Sequence, residues 1–270
     1  FAPDVAAWLN FAPDHLDVHG SLSAYEAAKA RIWRDQRREQ IAVANADDEV
    51  VMAHALGPAE VRTFGLGPDA DATVVDDVLV ATTGEHICAV GDLWSSLPHD
   101  RSNVLAAATV ALAGGATIDG VRQAARSFRG LPHRVQLVAE HDGVRWYDDS
   151  KATAPHATAA AVGGFSSVVL IAGGRNKGLD LSVLSELAPR LRAVVGIGEA
   201  AEEVVSACRS VPGASATSMR DAVSLASRWA EPGDTVLLSP GCASFDWYRN
   251  YGERGDDFAR EVVRRLGGAA

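Results

Sequence analysis

The sequence predicts an α/β protein whose second half is a Rossmann-like, doubly wound sheet. Three observations predict it. The runs VVLIA (168–172), AVVGI (193–197) and TVLL (235–238) are almost continuously apolar, as strands covered on both faces must be. They alternate with segments of helical periodicity, the rhythm of parallel strands joined by crossover helices. Three polar, glycine-containing or hydroxyl-rich segments, DDSKAT (148–153), GGRNKGLDLS (173–182) and SPGCASFD (239–246), each leave a strand at its carboxyl end. Ligands of such sheets bind there.

The first half mixes its elements. VAAWLN (5–10) reads as a strand, APDHLDVHG as a polar loop, and 23–38 as a helix opened by a capping box, Ser23-x-x-Glu26. QIAVANA, VRTFGL, ATVVDDVLVATT and EHICAV are β-type runs bounded by glycine, proline and aspartate. Helices follow over 102–113 and 119–128. At RGLPHR (129–134), Gly130 and Pro132 stop the second of these and a new strand pattern begins, so a domain boundary is expected there, with domains at 1–130 and 131–270. VQLVAEHDGVRWYDD reads as a hairpin turning at His141-Asp142-Gly143. Then come a helix over 155–162, strand SSVVLIAGG, a helix over 182–192, strand AVVGIG, helices over 199–209 and 220–230, strand DTVLLSPG and a final helix ending near Leu266. No internal repeat or low-complexity tract interrupts this order.

Composition narrows the partners. At 270 residues and 47% hydrophobic content there is material for a sizeable core. A formal net charge of -10 argues against general affinity for nucleic acid or anionic membrane, both of which are drawn by clustered lysine and arginine. The apolar stretch VLAAATVALAGGA is too short and too rich in alanine and glycine to span a bilayer. Cys88, Cys208 and Cys242 form neither a disulfide framework nor a zinc pattern, which fits a reducing cytosol. No secretory signal is recognisable, and the start at Phe1 on an apolar stretch is expected to be a cut rather than a natural beginning.

Several residues carry chemistry. Thr153 and Pro155 stand where an N-cap and a first-turn proline belong, which would aim helix donors at an anion. Asp149 can accept from ligand hydroxyls, and Lys151 can bring a point charge to a phosphate. In SAYEAAKARIW, Lys29 shares a helical stripe with Tyr25, Ala28, Ile32 and Trp33. It is either a lysine whose head escapes to water or one whose charge has been chemically changed. In PDHLDVHG, one of His15, Asp17 and His19 could ligate a metal. GIGEAA (196–201) fits the dinucleotide fingerprint with Asp221 about twenty residues beyond, but it is not in the first βα unit. Cys242 has no histidine near it in sequence and reads as packing. Phe245, Trp247, Tyr248 and Tyr251 read mostly as helix core.

LNFAPDHLDVHGSLSAYEAAKARIW, GLPHRVQLV, DDSKATAPHA, GGRNKGLDLS and LLSPGCASFDWYRNYGERGDDF, in this order and over nearly the whole chain, resemble the Mur ligase family and within it the branch that adds D-glutamate. The resemblance implies a cytoplasmic, monomeric enzyme of peptidoglycan synthesis. It would use ATP and Mg²⁺ to phosphorylate the carboxylate of UDP-MurNAc-L-alanine, so that the amine of D-glutamate can attack the acyl phosphate. It implies a metal-ligand role for His15, and a carbamylated Lys29 whose new carboxylate binds a second magnesium. Asn103 would contact adenine, Arg134 the ATP phosphates and Asp149 the ribose. Lys151, Thr153, Lys177, Ser244 and Tyr251 would surround D-glutamate, with Lys177 on its side-chain carboxylate.

Three departures stand beside the match. Tyr251 replaces a phenylalanine of some members, and Asp100 in PHDRSN replaces the usual asparagine. More consequentially, no G-x-x-x-x-G-K-[ST] phosphate loop occurs in the chain, and the UDP-binding domain of the family is absent from it. The expectation is therefore part of a central ATPase α/β domain followed by the whole glutamate domain, inactive alone because nothing cradles the nucleotide phosphates. The alternatives are another Mur-type ligase such as a folylpolyglutamate synthase, against which DSKAT and CASFD speak; a non-catalytic nucleotide-binding module; and a nicotinamide oxidoreductase using Gly196 and Gly198.

Overall fold

The computed structural model describes residues 1–14 and 16–267. The chain divides into two compact units, one of Phe1–Pro13 with Val18–Gly130 and one of Asp14–Asp17 with Leu131–Ala270.

The elements to Gly130 run β1 (Val5–Trp8), α1 (Leu16–His19), α2 (Leu22–Arg34), β2 (Ile41–Asn45), α3 (Glu49–His54), β3 (Glu60–Phe64), β4 (Thr73–Val75), β5 (Val78–Val80), β6 (His86–Ala89), α4 (Pro98–Ala113) and α5 (Ile118–Ser127). β1, β2 and β3 pair in that order, all parallel. Each face of this sheet is covered. Val43 and Phe64 pack with Leu105 and Ala108 of α4, whereas Ala42 and Ala44 pack with Trp33 of α2 and Val51 of α3. Burial on both faces is what the apolar run IAVA required.

Four local expectations are corrected here. The cap of α2 is Ser21, whose Oγ accepts from the Ala24 N–H at 3.2 Å, so Ser23-x-x-Glu26 is not a capping box. Glu26 is engaged by His54 instead, at 2.7 Å from its Nε2. The same helix stops at Arg34 rather than at 38, because the buried amide of Gln36 turns inward to donate to the Pro3 and Ile41 carbonyls at 2.9 and 3.1 Å. The run 72–83 is two strands, not one. Asp76 and Asp77, at φ +48° and +59°, form the two-residue turn whose left-handed backbone matches hairpin twist. α4 starts at Pro98, four residues early by the sequence expectation, since a proline with its fixed φ suits a first helical position.

The second unit runs β7 (Gln136–His141), β8 (Val144–Asp148), α6 (Pro155–Val162), β9 (Val168–Gly173), a 3-10 segment (Leu181–Arg190), β10 (Leu191–Ile197), α7 (Ala201–Ala207), β11 (Gly213–Ser215), α8 (Met219–Trp229), β12 (Thr235–Leu238) and α9 (Tyr251–Gly267). The strand order is β11-β10-β9-β12-β8-β7, parallel throughout except for β7. Every residue of β9 and β12 is buried. After β9 the chain moves outward to β10 and β11, whereas after β12 it leads into α9, which packs on β7 and β8. The connections therefore part between β9 and β12, and that switch point opens a crevice at the strands' carboxyl ends.

Two differences have simple causes. The expected helix over 182–192 is a 3-10 segment containing Pro189, which removes a donor and crowds the preceding turn. β11, three residues at the sheet edge, has no apolar run to announce it. Among the described residues no helix is long and apolar enough to cross a membrane.

Candidate functional site

The turns after β8, β9 and β12 are tied to one another by their backbones. The Gly241 N–H donates to the Ala152 carbonyl at 3.0 Å and the Gly173 N–H to the Pro240 carbonyl at 2.8 Å. Arg175 and Ala243 exchange two bonds, of 2.8 and 3.1 Å, as an isolated antiparallel bridge. Gly174, at φ +127°, must be glycine, since a Cβ there would fall on the Ala243 carbonyl.

These turns carry most of the expected binding residues. Lys151 is half-buried, with its Nζ 4.0 Å from the centre of the Tyr251 ring, a cation–π contact that orients both groups. Ser244 is buried one residue past the Ala243 bridge. Lys177 is exposed at the tip of its turn, which Asn176 braces by accepting from the Leu179 N–H at 2.9 Å and donating to the Leu179 carbonyl at 2.8 Å. Its neighbour Arg175 is held by Glu199 through bonds of 2.8 and 3.2 Å, so among the described residues Lys177 is the cation of this turn without an ion pair. Thr153 is not the helix cap. Pro155 occupies the first helical position of α6, which makes Ala154 the cap, with no side-chain bond, and leaves Thr153 half-buried one residue earlier.

Beneath these turns lies a buried polar layer. Arg254, on α9, is 1% exposed and among the described residues has no carboxylate within ion-pair distance; it donates to the Ser150 Oγ and carbonyl, both at 2.9 Å, and to the Cys242 carbonyl at 3.1 Å. Ser150 Oγ donates onward to the Tyr251 carbonyl at 2.7 Å. One guanidinium thus clamps two of the binding turns to the start of α9, and its burial pushes the Arg254 pKa down to about 10. The sequence reading passed over Arg254. The signal was a charged residue on the stripe that also carries Phe258 and Val262, the same anomaly that drew notice to Lys29.

Asp149 is buried and accepts from Ser239 Oγ at 2.7 Å and from the Val135 N–H at 3.3 Å. Burial outweighs those bonds and pushes its carboxyl up to about 7. The folded state holds this proton well above the unfolded value of 3.8, so the group's contribution to stability is complete below that value, falls progressively as pH rises from there, and is gone once pH has risen through 7. Asp149→Asn is therefore expected to be more stable than the parent at pH 8 by about 4 kcal/mol, at 1.36 per pKa unit, and equal to it at pH 4. Urea denaturation at both pH values reads this directly.

Arg134 is exposed between two residues in the left-handed region, His133 at φ +60° and Val135 at φ +43°. A β-branched residue there is rare and needs fixing from outside. His133 Nδ1 lies 2.7 Å from the buried Asp148, the Lys151 N–H donates to the His133 carbonyl at 3.1 Å, and Val135 is bonded to Asp149. This turn is thereby fastened to the one bearing Asp149 and Lys151.

In the first unit, Lys29 lines a groove of about 670 Å³ with Trp8, Asn10 and Ile32. Its Nζ donates to the Asn10 carbonyl at 3.3 Å and stands 5.1 Å from the Tyr25 ring centre. Asn103 is exposed on α4. His15 lies outside the described residues, as does the Asp17 side chain; His19 stacks near Tyr25, 5.0 Å between ring centres. Among the described residues no group of three or more His, Cys, Asp or Glu gathers to hold a metal, and an ammonium at Lys29 is no magnesium ligand. The described donors do not make a Mg²⁺ site.

Three other features take structural places. At GIGEAA the anion position is filled from within: the Asp246 carboxylate accepts from the Glu199 N–H at 2.9 Å, and Asp221, the would-be ribose ligand, accepts from the Thr217 N–H at 3.0 Å. Cys242 is buried and its thiol pushed up to about 12, mainly by burial. Phe245 and Trp247, at 58% and 37% exposure, stand on the loop before α9 and not in a helix core, because α9 begins only at Tyr251.

Residues 1–111 match the family model of the Mur ligase middle domain, and residues 133–242 that of the Mur ligase glutamate ligase domain. The chain is 49% identical to the UDP-N-acetylmuramoylalanine--D-glutamate ligase of Frankia casuarinae over 98% of its own length and 59% of the relative's. It is 40% identical to the ligase of that name from Desulfosudis oleivorans, over 98% and 60%. It thus spans about three-fifths of these relatives. Among solved structures, the fold matches UDP-N-acetylmuramate-alanine ligase from Thermotoga maritima at a TM-score of 0.70 and 16% identity, over 100% of this chain and 61% of that one. It also matches the MurF ligase of Thermotoga maritima in complex with ADP at a TM-score of 0.69 and 18% identity, over 99% and 63%.

Proposed function

The chain belongs to the Mur ligase family, and on that footing we propose that it is the ATP-binding and glutamate-binding part of an enzyme joining D-glutamate to UDP-N-acetylmuramoyl-L-alanine. Residues 1–130 supply part of the nucleotide-binding domain and 131–270 the domain that receives the amino acid. The observation that carries the reading is the mutual hydrogen bonding of the turns after β8, β9 and β12, which gathers Lys151, Lys177 and Ser244 at one end of one sheet. A dicarboxylate calls for separated cations plus hydroxyl and backbone donors, and these turns offer that set.

In the reaction the γ-phosphoryl group passes to the substrate carboxylate and ADP leaves; the glutamate amine then attacks the acyl carbon, losing a proton as phosphate departs. Lys177 holds the side-chain carboxylate of D-glutamate, and Thr153, Ser244 and Tyr251 with Lys151 orient the rest. Asp149 accepts from the ribose of ATP, Arg134 meets its phosphates and Asn103 its adenine. A carbamate on Lys29 would supply the oxygen that its ammonium lacks, and with His15 would hold Mg²⁺, whose charge would offset that of the phosphates. The enzyme works as a monomer in the cytoplasm.

The full-length parent is expected to release phosphate from ATP only when UDP-MurNAc-L-alanine and D-glutamate are both present, and the 270-residue chain to release none. A coupled phosphate assay with each substrate omitted in turn checks this. Equal turnover with a diamino acid in place of D-glutamate would move the reading to a neighbouring ligase.

A further inference from the structure

Asp246 lies two residues beyond Ser244, and its side chain turns away from the crevice toward the turn after β10. There it accepts from the Glu199 N–H at 2.9 Å. Gly198, at φ +67°, leaves the room for it: a Cβ at that position would fall on the Asp246 carboxylate and within 2.8 Å of the Gly174 Cα. The Ala200 N–H donates to the Gly174 carbonyl at 2.9 Å, so the turns after β9 and β10 are already joined when Asp246 reaches them. The Asp246 charge favours the protonated forms of Arg175 and Arg254.

Neither helix nor strand covers the stretch between Leu238, where β12 ends, and Tyr251, where α9 begins. The place of Ser244 is therefore set by tethers. Upstream, Ala243 is held by its two-bond bridge to Arg175; downstream, the next attachment to the sheet's turns is the Asp246 carboxylate. Ser244 and Phe245 are the span between these two points, and within the loop the Ser244 carbonyl accepts from the Tyr248 N–H at 2.9 Å.

We propose that Asp246 is a positioning residue for the ligation reaction: by anchoring its loop to the turn after β10, it fixes the Ser244 hydroxyl against the incoming amino acid. The inference rests on the reading of Ser244 as a D-glutamate contact. It also makes the turn after β10 a closed anchor with its donor already used, confining ligand binding to the turns after β8, β9 and β12.

The test uses the full-length parent enzyme with Asp246→Ala and Asp246→Asn, measuring KM for D-glutamate and for ATP separately. Alanine frees the loop, and the expected rise in KM for D-glutamate is about tenfold, within the range that a misplacement of about 1 Å produces. KM for ATP stays within about twofold, and asparagine, which keeps an acceptor at the same reach, restores KM for D-glutamate to within about threefold of the parent. An unchanged KM for D-glutamate in Asp246→Ala, an equal rise for ATP, or an asparagine variant as impaired as alanine overturns the proposal. If Asp246→Ala does not melt cooperatively, Asp246→Glu replaces it. Its extra methylene pushes the loop outward, so it is expected to bind D-glutamate more weakly than Asp246→Asn, and the reverse order or equality overturns the anchor. A parent that does not ligate D-glutamate at all would end the Ser244 assignment itself, a different result from any of these.

Discussion

Arg254→Ala is expected to destabilise the second unit by about 4 kcal/mol. The substitution removes the donors to the Ser150 carbonyl, the Ser150 hydroxyl and the Cys242 carbonyl, all buried where water does not replace them. Each acceptor left bare costs about 1–3 kcal/mol, and the vacated side-chain volume adds a cavity. Relief from burying a charge returns part of this, which keeps the total below the plain sum. Arg254→Lys is expected to recover little, because an ammonium has no planar fork with which to span two carbonyls on different turns. Urea denaturation followed by tryptophan fluorescence measures the loss; a midpoint unchanged in Arg254→Ala would mean that the two turns are held together by their backbone bridges alone.

Lys177→Ala in the full-length parent is expected to raise KM for D-glutamate by about 30-fold while leaving KM for ATP within about twofold. A hydrogen bond to a charged partner contributes about 1.5–3 kcal/mol, and each 1.4 kcal/mol is tenfold. The selectivity follows from the turn: Arg175 is committed to Glu199, so no neighbouring cation on this loop can take over the carboxylate. Steady-state kinetics with each substrate varied in turn separates the two constants. Equal effects on both would assign Lys177 to general electrostatics instead.

What could be read from the chain alone was whatever is encoded in periodicity. The buried runs at β9, β10 and β12 allow only a sheet covered on both faces, and the polar segments after β8, β9 and β12 pointed to the carboxyl end of that sheet. Where the reading failed, side chains acted at a distance in sequence. Glu26 looked like a capping partner three residues from Ser23, but His54 competes for it from α3. Asp221 was discounted as a ribose ligand because its motif is not in the first βα unit, and it is taken locally by the Thr217 N–H at the start of α8. The GIGEAA turn had the glycines of a phosphate site and was set aside for its place in the chain, but nothing local revealed that Asp246, 47 residues on, would bond to it. Arg254 was legible only as a charge in the wrong place, and the identity of its partners required the fold.

The place of β12 has a consequence for how the second unit comes into being. This strand pairs with β8 on one side and β9 on the other, although about ninety residues separate it from the first. While the chain is being synthesised, the β7–β8 hairpin and the β9–β10–β11 ladder can form as separate pieces. They have no strand in common until Thr235–Leu238 has left the ribosome. The crevice, whose walls come from both pieces, is thus among the last things this polypeptide assembles.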